Sequence, residues 1–269
     1  MEFQDDDLSQ FDANGAPPLP AAGHTLAVET HGARIWAASF GAGPAVTLLH
    51  GGLGNSGNWG YQVPALVRAG YRAVVIDSRG HGRSSRDAEP FSYEGMSRDV
   101  QDVMDHLGIA SAAVIGWSDG ACTGLILAHR HPERVAGVLF FACNMDPSGA
   151  RPFVPSPVID HCLARHVKDY AALSPTPDDF EPFSAAVSRM QLTQPNYSAA
   201  DLGDIAVPVA IVQSESDEFI FPEHARYLAQ SIPGATLTLL EGVSHFAPLQ
   251  RPGQFNATML AFLAGLDLR

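Results

Sequence analysis

The stretch GWSDG, residues 116–120, decides the fold of this chain. The apolar run AAVI at residues 112–115 precedes it, and an apolar helical pattern follows it as far as Arg130. A strand that turns this sharply into a helix strains the backbone of Ser118 and leaves no space for side chains at Gly116 and Gly120. The pattern therefore predicts a nucleophile elbow, with Ser118 at a helix N-terminus that favours negative charge.

The composition limits both the size of the fold and the binding partners. A chain of 269 residues, 46% of them hydrophobic, is long enough for one α/β domain. Its formal net charge of −13 and the lack of a Lys/Arg cluster disfavour nucleic acid and anionic membranes as partners. We expect a monomer or homodimer that acts on a small molecule.

The sequence carries no pattern typical of a metal site, a disulfide framework or export. Its cysteines, Cys122, Cys143 and Cys162, lack the spacing of either kind of site, so we expect buried thiols, no metal and no cofactor. Residues 1–24 contain DDD at positions 5–7 and no apolar run of the length that a signal peptide requires. We predict that these residues form a flexible leader, disordered or loosely docked, on a cytoplasmic protein.

Short β-rich runs alternate with helical patterns from about residue 25 onward. They predict eight strands, at residues 25–29, 33–39, 45–49, 73–77, 112–115, 135–141, 209–213 and 236–240. This alternation predicts a mostly parallel, eight-stranded sheet flanked by helices.

The alternation stops after the sixth strand, at residues 145–204, a segment that contains eight of the twenty prolines. Sixty residues are too many for a plain loop, and apolar residues at helical spacing predict two or more helices there. We therefore expect a core formed by residues 25–144 and 205–269, with a helical lid at 145–204. The alternative is a surface excursion that does not touch substrate.

A serine hydroxyl becomes a useful nucleophile when a histidine takes its proton and a carboxylate orients that histidine. With this elbow, the chain order is serine, acid and histidine, and the last two lie on loops after later strands. Asp217 follows the seventh predicted strand, with Glu215 and Glu218 as alternatives, and His245 follows the eighth. The sequence predicts a catalytic triad of Ser118, Asp217 and His245.

The oxyanion of a tetrahedral intermediate needs two fixed hydrogen-bond donors. We expect the N–H of Asp119 as one donor and the N–H of Gly52, or of Leu53, as the other, because HGGLG at residues 50–54 permits close backbone approach. We expect Leu53, Asp119 and Trp59 to contact substrate, although Trp59 could equally pack on the next helix. His50 is expected to order its loop.

Three motifs carry a family resemblance: HGG at 50–52, DSRGHGRS at 77–84 and GWSDG at 116–120. With them, the chain resembles the α/β-hydrolase fold superfamily from about residue 25 to its end, and within it the valacyclovir hydrolase (biphenyl hydrolase-like) branch. The resemblance implies ester hydrolysis, including that of amino-acid esters, with Asp119 binding a substrate ammonium group. The open alternative is that Asp119 faces a donor of the lid or pocket wall and is structural.

These features predict a cofactor-independent serine hydrolase that cleaves a small carboxylic ester or lactone through an acyl-enzyme on Ser118. An amidase or aminopeptidase-like hydrolase and a carbon–carbon bond hydrolase remain as alternatives, because the fold alone does not determine the reaction. A ligand-binding sensor with slow turnover is a further alternative. Epoxide hydrolase and dehalogenase activities are disfavoured, because they need a carboxylate where Ser118 stands.

Overall fold

A single sheet forms the centre of the computed structural model, which describes residues 3–268; Met1 and Glu2 of the predicted leader and Arg269 of the predicted core lie outside the described residues. Within this range the predicted eight-stranded, mostly parallel sheet is confirmed. The strands are β1 (His24–Thr30), β2 (Ala33–Phe40), β3 (Ala45–Leu49), β4 (Arg72–Ile76), β5 (Ala112–Trp117), β6 (Val135–Phe141), β7 (Val209–Ser214) and β8 (Thr236–Leu240).

The strand order is β1-β2-β4-β3-β5-β6-β7-β8. The strands β3 to β8 run parallel, whereas β2 is antiparallel to both of its neighbours, β1 and β4. Every residue of β5 and of β7 is buried, as expected for parallel strands that are covered on both faces.

Helices cover both faces of the sheet. They are α1 (Ser9–Asn14), α2 (Gln62–Arg68), α3 (Tyr93–His106), α4 (Asp119–Arg130), α5 (Pro157–Leu173), α6 (Phe180–Thr193), α7 (Ala199–Gly203), α8 (Pro222–Ser231), α9 (Ala247–Gln250) and α10 (Pro252–Ala264). Side chains of α3, α4 and α8 form one apolar cluster with the sheet, and those of α2 and α10 form another. Among the helices of residues 3–268, none has both the length and the apolar character needed to cross a membrane.

The helical insertion, residues 145–204, contains α5, α6 and α7 between β6 and β7. Helix α5 begins where the Ser156 hydroxyl accepts a hydrogen bond from the N–H of Ile159, with Pro157 at the first helical position. Helix α6 buries Phe183, whose ring lies 4.7 Å from that of Tyr170 on α5. The two helices of this insertion therefore share an apolar contact.

The structure differs from the expected flexible leader. Leu8 and Phe11 are buried, and α1 packs on α5 of the insertion. The Asp5 carboxylate accepts hydrogen bonds from the N–H groups of Gln10 and Phe11, and the Asp5 N–H donates to the Gln250 carbonyl at 3.0 Å. Apolar burial and these hydrogen bonds hold the leader against both the insertion and the C-terminal part of the core.

The topology brings the predicted functional loops together. The carboxyl ends of β3, β5, β7 and β8 lie at one edge of the sheet because these strands run parallel. In open α/β sheets, this edge is where ligands bind. The loops that carry Gly52, Ser118, Asp217 and His245 all leave from it.

Burial of the leader predicts a stability contribution that a flexible tail would lack. We expect Phe11→Ala to lower the free energy of unfolding by about 3 kcal/mol, because it removes a buried aromatic ring. Phe153→Ala is the matched control, since Phe153 is 65% exposed. Urea unfolding followed by circular dichroism measures both variants, and equal stability of the two would contradict a packed leader.

Candidate active site

Ser118 lies at a strained turn between β5 and α4. Its backbone has a φ of 54°, and its N–H donates to the Phe141 carbonyl at 2.9 Å. A methyl group at Gly116 would lie 2.4 Å from the Ala121 Cα, and one at Gly120 would lie 2.1 Å from the Leu49 carbonyl oxygen. Both glycines are therefore required by close packing, and that packing holds the strained serine in place.

The structure brings together the predicted acid and base of the triad. The Nδ1 atom of His245 lies 3.1 Å from each carboxylate oxygen of Asp217. Asp217 is fully buried, and it also accepts hydrogen bonds from the N–H groups of Phe219 and Ile220 and from the Gln213 amide. These bonds fix the carboxylate and turn the Nε2 edge of His245 away from it.

The two alternative acids do not contact the imidazole ring. Glu215 accepts a hydrogen bond from the N–H of Gly242, and Glu218 accepts one from the backbone N–H of His245 at 3.0 Å. Glu218 therefore braces the histidine loop, whereas Asp217 alone of these three carboxylates orients the ring.

The charges around His245 adjust its proton affinity. Burial by itself lowers the pKa of His245, but the charge and hydrogen bond of Asp217 offset this effect, with further help from Glu218 and Asp119. The result is a pKa above the ordinary value of 6.5. An imidazole with a raised pKa is a stronger base and remains suited to proton transfer near neutral pH.

In the described part of the chain, backbone N–H groups without a carbonyl partner lie on two segments that line the cavity with Ser118. Asp119 is the first residue of α4, so its N–H has no carbonyl partner within the helix. In the loop after β3, Leu53 has a φ of 63° and Gly54 donates to the Gly51 carbonyl at 3.2 Å. Among the described residues, no backbone carbonyl accepts from Gly52 or Leu53, so either N–H can serve as the second donor.

The Asp119 side chain meets neutral donors from two other elements. It is 5% exposed and accepts hydrogen bonds from the Tyr93 hydroxyl at 2.8 Å and from the Gln191 amide at 3.1 Å. Burial raises the pKa of Asp119, while these hydrogen bonds act in the opposite direction. A donor of the insertion and a donor of the wall therefore hold this carboxylate.

A cavity of about 510 Å³ joins these groups. Ser118 and His245 line it, as do Gly52, Leu53 and Asp119. The other polar or aromatic side chains around it include Asn58, Tyr93, Trp117, Asn144, Arg151, Phe153, His166, Ser188, Gln191, Phe219 and Phe246. Helices α5 and α6 thus contribute directly to the wall of the cavity.

The structure corrects the prediction that Trp59 contacts substrate. Its side chain is fully buried and does not line the cavity. The indole packs between Trp117, at a ring distance of 6.1 Å, and Phe255, at 6.2 Å. A large apolar ring in a turn next to the core gains more from burial than from solvent contact, so Trp59 packs in the core.

His50 and His81 support the loops beside the site. The Nε2 atom of His50 accepts a hydrogen bond from the N–H of Ser78 at 3.0 Å, which connects two neighbouring loops. Burial lowers the pKa of His81 to about 3, so its imidazole remains neutral. The position of His50 between these loops is in keeping with the expectation that it orders its loop, and the Nδ1 atom of His81 lies 2.9 Å from the Arg79 carbonyl oxygen in its own loop.

Sequence reasoning missed most residues that line the cavity, among them Tyr93, Arg151 and Gln191. Tyr93 is the first residue of α3 and follows the Ser92 cap. This local pattern predicts the start of a helix, but it does not indicate that Tyr93 bonds to Asp119. Arg151 and Gln191 belong to the insertion, where no motif relates a residue to the core. Their roles depend on tertiary packing alone.

Comparisons with known proteins identify the family of the fold. A family model described as alpha/beta hydrolase fold matches residues 44–155. The chain is similar to the provisionally named carbamate hydrolase RutD of Caulobacter vibrioides, with 30% identity over 264 residues, 89% of this chain and 96% of that protein.

Solved structures extend the similarity. The structure of the enol-lactonase of Burkholderia xenovorans LB400 is similar to that of this chain, with a TM-score of 0.75 and 22% sequence identity. The match covers 89% of this chain and 100% of the enol-lactonase chain. Est816, described as an N-acyl homoserine lactone degrading enzyme, has a TM-score of 0.71 at 27% identity, covering 88% of this chain and 100% of its own.

The environment of His245 predicts a pH dependence. Protonated His245 cannot accept a proton, so we expect kcat/KM for an ester to fall as pH drops through its raised pKa, above 6.5. Glu218→Gln removes one carboxylate that raises this pKa, so the acid limb of the pH profile should move to lower pH. Glu215→Gln, which alters a carboxylate bonded to Gly242, is the control. An unmoved limb in Glu218→Gln would argue against this electrostatic account.

Proposed function

Since the chain is a hydrolase of the α/β-hydrolase superfamily, we propose that it cleaves small carboxylic esters or lactones through an acyl-enzyme on Ser118. The observation that carries this proposal is the joint placement of Ser118 and His245 on one cavity, with the Asp217 carboxylate 3.1 Å behind His245. Nucleophile, base and orienting acid are the three parts that acyl transfer by a serine requires.

In the proposed reaction, His245 takes the hydroxyl proton of Ser118 as the oxygen attacks the ester carbonyl. The N–H groups of Asp119 and Gly52, or Leu53 in place of Gly52, stabilise the oxyanion. His245 then donates the proton to the departing alcohol oxygen, which leaves an acyl group on Ser118. A water molecule, deprotonated by His245, hydrolyses this acyl-enzyme and restores the serine. This chemistry needs no cofactor.

Ester or lactone cleavage is preferred over the amide and carbon–carbon alternatives. An ester releases an alkoxide, which needs less help from His245 than an amine or a carbanion does. The similarity to a lactone-degrading enzyme at 27% identity supports lactones as one form of substrate, and the carbamate hydrolase relative supports a carbonyl bonded to a heteroatom. A serine at position 118, where epoxide hydrolysis requires a carboxylate, disfavours that reaction.

Ser118→Ala tests this proposal. We expect kcat for p-nitrophenyl butyrate to fall by about 10⁴ to 10⁶, because the variant lacks the nucleophile. Ser184→Ala, which removes an exposed hydroxyl of α6, is the control. Activity retained in Ser118→Ala would refute the assignment. Labelling of Ser118 by a fluorophosphonate without turnover of any ester would favour the slow sensor instead.

Asp119 favours amino-acid esters as a second candidate substrate class. Its carboxylate lines the cavity, is 5% exposed and, among the described residues, has no Arg or Lys within ion-pair distance. A carboxylate offers about four acceptor positions, and three hydrogen bonds from Tyr93 and Gln191 occupy most of them. One position remains for an ammonium group, as the resemblance to the valacyclovir hydrolase branch implies.

A pair of substrates tests this candidate. We expect wild type to prefer the p-nitrophenyl ester of valine over that of isovaleric acid, which lacks the amino group. Asp119→Asn should reduce this preference about tenfold or more, because a charged hydrogen bond is lost. Tyr93→Phe is the matched control, since it removes a hydrogen bond to Asp119 and keeps the charge. Wild type without a preference for the valine ester would contradict the ammonium role.

A further inference from the structure

Arg151 occupies a defined place at the wall of the cavity. It precedes α5 in the insertion, and its backbone N–H donates to the Phe219 carbonyl at 2.7 Å. Its Nη1 atom donates to the Asp217 carbonyl oxygen at 2.6 Å, and its guanidinium lies 5.7 Å from the ring centre of Phe221. Backbone and side chain thus fix Arg151 against the loop that carries the triad acid.

The charge of Arg151 is distinctive in this cavity. Among the described residues that line it, Arg151 is the only arginine or lysine and Asp119 is the only aspartate or glutamate. Arg151 forms no ion pair within the described part of the chain, although the chain has 29 acidic and 16 basic residues. A guanidinium has five N–H donors, and the hydrogen bond to Asp217 uses one of them.

The position of Arg151 places it near the alcohol half of a bound ester. The base that protonates the leaving oxygen must lie beside it, so the alcohol half of the substrate lies on the His245 side. Arg151 belongs to this side, because it bonds to Asp217, the partner of His245. Phe219, which accepts the Arg151 N–H, also has its ring 4.8 Å from that of His245.

Asp119, the acidic residue of the cavity wall, contacts other elements than Arg151 does. Asp119 lies next to Ser118 in the chain, and a methyl group at Gly52 would lie 2.6 Å from both the Asp119 Oδ2 and the Gln191 Nε2. The carboxylate therefore lies against the glycine loop, whereas Arg151 contacts the loop that carries Asp217. A negative group on the acyl half would meet Asp119, whereas one on the alcohol half would meet Arg151.

We propose that Arg151 is a specificity-determining residue that binds a carboxylate on the alcohol half of the ester or lactone. The proposal rests on the serine hydrolase function proposed above. Arginine suits this role because its planar fork donates two parallel hydrogen bonds to a carboxylate. The negative chain as a whole repels anions, so recognition depends on this local cation. The substrate class is an ester formed by the hydroxyl of a hydroxy acid, or a lactone with a carboxylate on its alkoxy carbon.

Arg151→Gln, measured with two matched esters, tests the proposal. The substrates are p-butanoyloxybenzoate, with a carboxylate on the alcohol half, and p-butanoyloxybenzamide, its uncharged counterpart. We expect the ratio of kcat/KM for the benzoate to that for the benzamide to fall about tenfold in the variant, the factor of one charge-assisted hydrogen bond. Glutamine retains an N–H donor for the Asp217 carbonyl. Higher salt should reduce the ratio in wild type and have less effect in the variant.

Two controls test whether the effect depends on the positions of the Arg151 charge and of the substrate carboxylate. Arg189→Gln removes an exposed positive charge from α6, outside the cavity wall, and should leave the ratio at the wild-type value. The p-nitrophenyl monoester of succinic acid places the carboxylate on the acyl half, and Arg151→Gln should not reduce its turnover relative to p-nitrophenyl butyrate.

Three results would overturn the proposal. Both esters could keep their wild-type activity in Arg151→Gln; both could lose activity equally, which would mean that Arg151 acts only on the Asp217 loop; or the succinate ester could respond instead of the benzoate. Failure of the serine hydrolase function itself is a separate observation, because wild type would then hydrolyse neither the benzamide ester nor p-nitrophenyl butyrate.

Discussion

The contact between the start of α4 and the end of β3 is the constraint on which the site depends. Gly120 leaves no space there: a side chain would collide with the carbonyl oxygens of Leu49 and His50, at 2.1 and 2.8 Å. Because the helix lies directly against this strand end, the Asp119 N–H comes beside the glycine loop that follows β3. One packing contact thus holds Ser118 in its strained backbone conformation and brings the Asp119 N–H beside the glycine loop, which is the arrangement that the proposed reaction requires.

The parts that sequence reasoning could predict are those with a local pattern. Every strand is a short apolar or alternating run, and the elbow has two glycines at a fixed spacing. The sheet and the position of Ser118 could therefore be predicted from the sequence. Asp217 and His245 follow from the rule that functional loops leave the carboxyl ends of parallel strands. The contact between these two side chains could be predicted without knowing how the insertion packs.

The parts that could not be predicted depend on contacts between distant segments. Gln191 lies 72 residues from Asp119, and nothing near either residue indicates their hydrogen bond. Trp59 is an aromatic residue in a turn, a pattern equally compatible with a pocket wall and with a core, and only its burial distinguishes the two. The firm packing of the leader could not be predicted for the same reason, since α1 is six residues long and gains its stability from packing on α5.

The packed leader has a consequence for comparing this chain with its relatives. Phe11 of the leader contacts His166, which is on α5 and lines the cavity, so the leader lies behind one wall of that cavity. The part of the chain that matches the family model, residues 44–155, contains neither the leader nor α5. Two proteins with the same catalytic core and different leaders would therefore differ in the support of that wall. Their substrate ranges would diverge without any change in the residues that perform the reaction.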